Sequence, residues 1–100
     1  MRAIHLARLD KTRPVVILTR EAVRPRLANV TVAPITSTVR GLSTEVPVGV
    51  DAGIEHQSVV SLDNIQTIPV TDLGRQIGVF PDRLEDAMAT AIRAAFDLGR

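Results

Sequence analysis

Residues 33–48 read APITSTVRGLSTEVPV. Ala33 to Ile35 close an alternating run that begins at Asn29 (NVTVAPI), and Thr44 to Val50 resume extended alternation. Between them lie Thr36, Ser37, Thr38, Arg40 and Gly41. Two half-buried strands joined by a polar loop around a glycine give this pattern. Pro34 points to a sheet edge or a bulge.

The same pattern extends upstream. Ala3–Leu9 (AIHLARL) alternates as a strand, and Asp10-Lys11-Thr12 is a short polar break. Arg13-Pro14 then opens PVVILT, a β-branched run with proline at its first position, where a strand tolerates it. Residues 21–27 hold Pro25 among several arginines and read as an exposed loop or a single helical turn. Downstream, Asp51-Ala52-Gly53 is a turn, and Ser58–Leu62 and Ile65–Pro69 are short extended runs with a bend at Asp63-Asn64. Asp72–Gly78 fits either a short helix or an edge strand. Pro81–Leu98 reads as a helix. Proline and acids (Asp82, Glu85, Asp86) crowd its first turn, Leu84, Met88, Ala91, Ile92 and Ala95 form one apolar stripe, and Gly99 suits its C-cap. Five or six short strands followed by one amphipathic helix predict a strongly bent antiparallel sheet or small barrel.

One hundred residues make a single domain, residues 1–100. Aromatics are only 2% of the chain, both of them Phe, so Val, Ile, Leu and Ala must fill the core. A core of this size is marginal, and association of two copies would help it. The absence of Cys excludes disulfides and thiolate metal sites. No apolar run approaches the roughly 18 residues that span a bilayer. The segment MRAIHLARLDKTR interrupts its apolar residues too often for a signal peptide, so a cytoplasmic location is expected.

Charge is distributed unevenly. Residues 1–40 carry eight basic side chains against two acids, a net of +6, and residues 41–100 carry four against nine, a net of −5. Eleven of the twelve basic residues are Arg, whose fork suits phosphate or carboxylate. An anionic ligand could dock on the N-terminal half, or folding could interleave the halves and erase the asymmetry.

His5 and His56 invite a two-histidine acid–base reading, yet nothing in their spacing brings them together, and ordinary structural roles outweigh it. Two His and scattered carboxylates show no metal-ligand spacing, and no glycine-rich phosphate loop is present. The remaining constellation is Arg13, which starts one strand, with Thr36, Ser37, Thr38 and Arg40 at the end of another. In an antiparallel pair the start of one strand lies beside the end of its neighbour. Arg13 and Thr36 would then face a common ligand, although a plain polar rim explains the same residues.

RPVVILT, VTVAPITSTVRGLSTEVPV and SVVSLDNIQTI, in this order and followed by the closing helix, resemble the MazF/PemK family of toxin endoribonucleases. The resemblance implies an SH3-like antiparallel barrel, mainly β with a C-terminal α-helix. It also implies a homodimer, a cognate antitoxin whose disordered tail occupies the RNA groove, and cleavage of single-stranded RNA at short preferred sequences without metal or cofactor. Carried onto this chain, the family's catalytic residues fall on Arg13 and Thr36. Lys11, Ser37, Thr38 and Arg40 become substrate contacts. Gln57 and Asn64 could read base edges in unpaired RNA, although capping turns is their commoner role. MRAIHLARL lacks the family's frequent Trp, and DKT shortens a loop that in the family covers the active site, so a more open groove is expected. Two alternatives use the same barrel: a non-enzymatic gyrase-poisoning toxin acting through the end of its helix, and an RNA-binding module without cleavage.

Overall fold

A computed structural model describes residues 1–99. The extended runs become β1 (Ala3–Arg8), β2 (Thr12–Ile17), β3 (Asn29–Thr36), β4 (Glu45–Val48), β5 (Ser58–Ser61), β6 (Gln66–Pro69) and β7 (Leu73–Val79), and the chain closes with helix α1 (Glu85–Ala95). All ladders are antiparallel, in the order β4-β5-β3-β2-β1-β7, with β6 added to β3. β3 is the pivot. One of its edges carries β2. The other pairs with β6 over Asn29–Val32 and with β5 at Ile35 and Thr36. Pro34 sits at this handover, where the ladder is interrupted and a missing N–H is tolerated. The sheet therefore curls into a barrel-like form that is not strictly closed, since β4 and β7 end the order without pairing among the described residues.

Alternation decides which side chains enter which core. Ile4, Val16, Ala33, Ile35 and Val60 form one cluster with Phe80 and with Met88 and Ala91 of α1. Val15, Ile17, Val30 and Val32 point the other way and pack with Ala3, Ala7 and Ile68. Both faces of β2 and β3 are thus covered, which is why their sequences run almost continuously apolar.

The strand that the sequence left open, over Asp72–Gly78, is β7, paired with β1 through two register shifts. The predicted helix is shorter than Pro81–Leu98. A 3-10 turn occupies Asp82–Leu84, and regular α-helix starts at Glu85. Gly99 is not its cap. Asp97 takes the left-handed conformation (φ 53°), Leu98 N–H donates to the Arg93 carbonyl (2.8 Å) and Asp97 N–H to the Ala94 carbonyl (3.3 Å). These two bonds close the helix in the Schellman manner two residues earlier than glycine placement implied. The apolar stripe is as predicted: Met88 and Ala91 are buried, and Leu84, Ile92 and Ala95 pack partly buried beside them.

The first core and the helix are tied by Arg2. Its Nε donates to both Glu85 carboxylate oxygens (3.1 and 2.9 Å) and its Nη1 to the Leu18 carbonyl (3.0 Å). Folding therefore interleaves part of the charge split.

The turn after β4 presses its backbone onto β7. Gly53 adopts φ 80°, and a Cβ there would collide with the Ile77 carbonyl oxygen. Neither the positive φ nor the contact accommodates a side chain. Gly53→Ala is expected to cost roughly 2–4 kcal/mol, the sum of a strained backbone and a displaced strand. Thermal unfolding would register this as a drop in Tm of the order of 10 °C or more.

Candidate active site

The β1–β2 hairpin turns through only Leu9, Asp10 and Lys11, so β2 begins at the rim with Thr12 and Arg13. Val15 stands opposite Pro34 in the β2–β3 ladder. Continuing that register by two residues sets Arg13 opposite Thr36, on the same face. Both side chains line one cleft of about 1130 Å³ at this end of the sheet. Lys11, Ser37, Thr38, Arg40 and Asn64 line it as well. Thus seven of the eight residues singled out from sequence share a single concavity. Gln57 is the exception. His56 and Ser58 line the cleft, while Gln57 between them places its carboxamide beside Gly49.

Arg13 is held before any ligand arrives. Its Nε donates to Asp10 Oδ1 (2.9 Å) and its Nη2 to Asp10 Oδ2 (3.1 Å). The hairpin makes this possible, because the two residues lie three positions apart at a tight turn. The hydrogen bonds from Arg13 lower the Asp10 pKa from 3.8 to about 2, and the same contact raises that of Arg13. Both groups stay charged at neutral pH, and so weak a base is unsuited to accept a proton there. Orientation of the guanidinium is the role that fits Asp10.

The sign of the pH effect follows. The folded-state pKa of Asp10 is depressed, so the pair's stabilisation is complete above the ordinary carboxylate range and is lost as pH falls from about 4 to about 2. Asp10→Asn is expected to be slightly less stable than the unsubstituted protein at about pH 6, by the small margin of an exposed ion pair. The difference in urea midpoints should close as pH falls through that window.

Thr36 ends β3, and its Oγ1 accepts the Thr38 backbone N–H (3.1 Å). That bond fixes the oxygen and leaves the hydroxyl proton to donate elsewhere. The following loop is pinned by Glu45, whose carboxylate accepts the backbone N–H of Arg40 (3.2 Å) and of Leu42 (3.1 Å) around the left-handed Gly41 (φ 72°). Glu45 thus sets the loop but leaves the Arg40 guanidinium free of any ion pair among the described residues. Asn64 reaches the cleft while its Nδ2 donates to Ser61 Oγ (2.8 Å), so it also serves as the turn cap expected of it.

The two histidines are not brought together. His5 does not line the cleft. Its Nδ1 donates to the Gly74 carbonyl (2.9 Å), while its Nε2 is buried without a partner among the described residues. His56 is exposed at the cleft rim.

Sequence reasoning missed Asp10, Glu55, Gln66 and Arg75, all of which line the cleft. Asp10 could have been found from its i, i+3 spacing to Arg13. Arg75 could not, because it comes with β7. Lys11, Arg13, Arg40 and Arg75 against Asp10 and Glu55 leave the cleft net positive, although Arg2, Arg8, Arg20, Arg24 and Arg26 of the basic N-terminal half lie outside it. With a fork of donors, a fixed hydroxyl and an excess of cations, the cleft is suited to hold a phosphodiester and to stabilise charge developing on its oxygens.

Comparison with known proteins agrees with this chemistry. The family model described as "PemK-like, MazF-like toxin of type II toxin-antitoxin system" matches residues 5–96. The chain is 67% identical over 98 residues to the Mycobacterium tuberculosis protein "Endoribonuclease MazF3", covering 98% of this chain and 95% of that one. The solved "Mycobacterium tuberculosis toxin MazF-mt6" superposes with a TM-score of 0.97 at 66% identity, covering 99% and 100% of the two chains. An "endoribonuclease in complex with its cognate antitoxin from Mycobacterial species" shares the fold, with a TM-score of 0.87 at 24% identity over 98% and 94%.

Proposed function

This chain belongs to the PemK-like, MazF-like toxin family of type II toxin–antitoxin systems, and from that membership we propose that it is an endoribonuclease toxin that cuts single-stranded RNA in the Arg13–Thr36 cleft. The supporting observation is the register that sets Arg13 opposite Thr36 on one wall of a net positive cleft. RNA carries its own nucleophile. Its 2′-OH attacks the adjacent phosphorus, the P–O5′ bond breaks, and the products are a 2′,3′-cyclic phosphate and a 5′-hydroxyl. The proton lost from the 2′-oxygen leaves to a base or to water, and another is delivered to the departing 5′-oxygen.

The protein's part is to hold these atoms in line and to stabilise the equatorial oxygens. Arg13 supplies the fork and, being permanently protonated, stabilises charge rather than accepting a proton. Thr36 donates its hydroxyl hydrogen to the phosphate and fixes its orientation. Lys11, Ser37, Thr38 and Arg40 hold neighbouring nucleotides, and the free oxygen of Asn64 is available to a base. No part of this chemistry calls on a metal or cofactor. The enzyme acts in the cytoplasm as a homodimer, restrained by an antitoxin that competes with RNA for the cleft. Exposed Val39 and Leu42, in the loop beside the cleft, supply apolar surface for that partner.

Incubating the purified protein with single-stranded RNA in EDTA tests the reading. Cleavage is expected to proceed undiminished and to leave cyclic-phosphate ends. RNA that is retained but uncut, or cutting that stops with EDTA, would contradict it.

A further inference from the structure

Arg75 lies on β7 and lines the cleft together with Ile77 of the same strand. No carboxylate pairs with it among the described residues. Arg2, Arg13 and Arg83, by contrast, are ion-paired to Glu85, Asp10 and Asp51. Arg75 is exposed, and the strand carrying it is held to β1, where Gly74 passes close to Leu6 (3.3 Å from an ideal Cβ to the Leu6 carbonyl oxygen). The guanidinium thus rises from a fixed strand and has nothing of its own to bind.

The lack of a carboxylate partner distinguishes it from Arg13, which Asp10 holds. Leu6, Ile54 and Ile77 line the cleft as an aliphatic surface. Neither phenylalanine does so: Phe80 is fully buried and Phe96 is exposed at the end of α1. Aliphatic side chains beside an unpaired fork accommodate the flat apolar face of a base better than a phosphate, which asks for donors on every side. We propose that Arg75 reads the edge of a base next to the scissile phosphate and thereby sets part of the sequence preference of the nuclease. The proposal rests on the ribonuclease reading given above.

The chemistry of the fork predicts which bases it accepts. Arginine offers only donors. Guanine presents two adjacent acceptors, O6 and N7, and cytosine presents two, N3 and O2. Adenine sets a donor beside each acceptor on the edges that carry its N6 amino group. One nucleotide position is therefore expected to favour guanine or cytosine and to exclude adenine, by about ten- to a hundred-fold for a bidentate contact.

The test is cleavage of a library of short RNAs randomised around the cut site, read by sequencing of the new ends. It uses the unsubstituted protein, Arg75→Ala and Arg75→Lys, with thermal unfolding to confirm that each variant folds. The expected result is a position depleted of adenine in the unsubstituted profile, whose depletion shrinks in Arg75→Ala. Arg75→Lys should retain affinity, seen as a near-normal KM, but lose the discrimination, since lysine keeps the charge without the fork. A purely structural or long-range electrostatic role would be rescued by lysine and would leave the base profile unmoved. If the unsubstituted protein cuts with a preference and both variants keep it, the assignment of Arg75 is overturned while the ribonuclease reading stands. If the unsubstituted protein cuts no RNA, both fall.

Discussion

Arg13→Ala is expected to lower kcat on single-stranded RNA by roughly a hundred- to a thousand-fold, the cost of removing one donor group aimed at developing charge in a preorganised site. The loss should appear in kcat more than in KM, because Lys11 and Arg40 remain in the cleft to hold the polyanion. Stability should scarcely move. The Arg13 side chain is 29% exposed, its partner Asp10 is 69% exposed, and ion pairs of this kind contribute little. Arg13→Lys should remain strongly impaired, since a point charge cannot reproduce the two parallel donors. Single-turnover cleavage with matched thermal unfolding curves checks this, and a variant that cuts at the unsubstituted rate would remove Arg13 from the mechanism.

The second large effect concerns the substrate. Replacing the single ribose 5′ to the scissile phosphate by deoxyribose is expected to abolish cleavage at that bond, because the nucleophile itself is gone. The same replacement one or two nucleotides away should leave the rate within a few-fold, costing at most one hydroxyl contact. An all-DNA oligonucleotide of the same sequence should bind through its phosphates and survive intact. The contrast separates attack by the 2′-oxygen from attack by water. Equal cutting of the substituted and unsubstituted bonds would show that the protein activates an external nucleophile instead.

The part of this site that was readable in sequence was the part fixed by strand register. A proline-started β-branched run (Arg13-Pro14) and an alternating run ending in Thr36 had to pair as neighbours for their polar ends to meet, and they do. Gln57 lies outside the cleft although Ile54, Glu55, His56 and Ser58 line it, because this stretch is an irregular turn before β5 and no spacing in the sequence tells which of its side chains face inward. β7 stayed undecided between a short helix and an edge strand because nothing local settles it. Gly74, Arg75 and Gln76 are all exposed, and pairing with β1, rather than alternation, makes them a strand. Arg75 was hidden with it. The helix ends were misread for a related reason. Asp97 accepts a positive φ because two backbone hydrogen bonds fix it there, and composition alone favours the nearby glycine.

A crystal structure with an RNA carrying deoxyribose at the cut position, and therefore bound but not cleaved, tests the account most directly. It should show one phosphate with oxygens about 3 Å from both the Arg13 guanidinium and the Thr36 hydroxyl. A scissile phosphate seated elsewhere, or one that either side chain cannot reach, would contradict it.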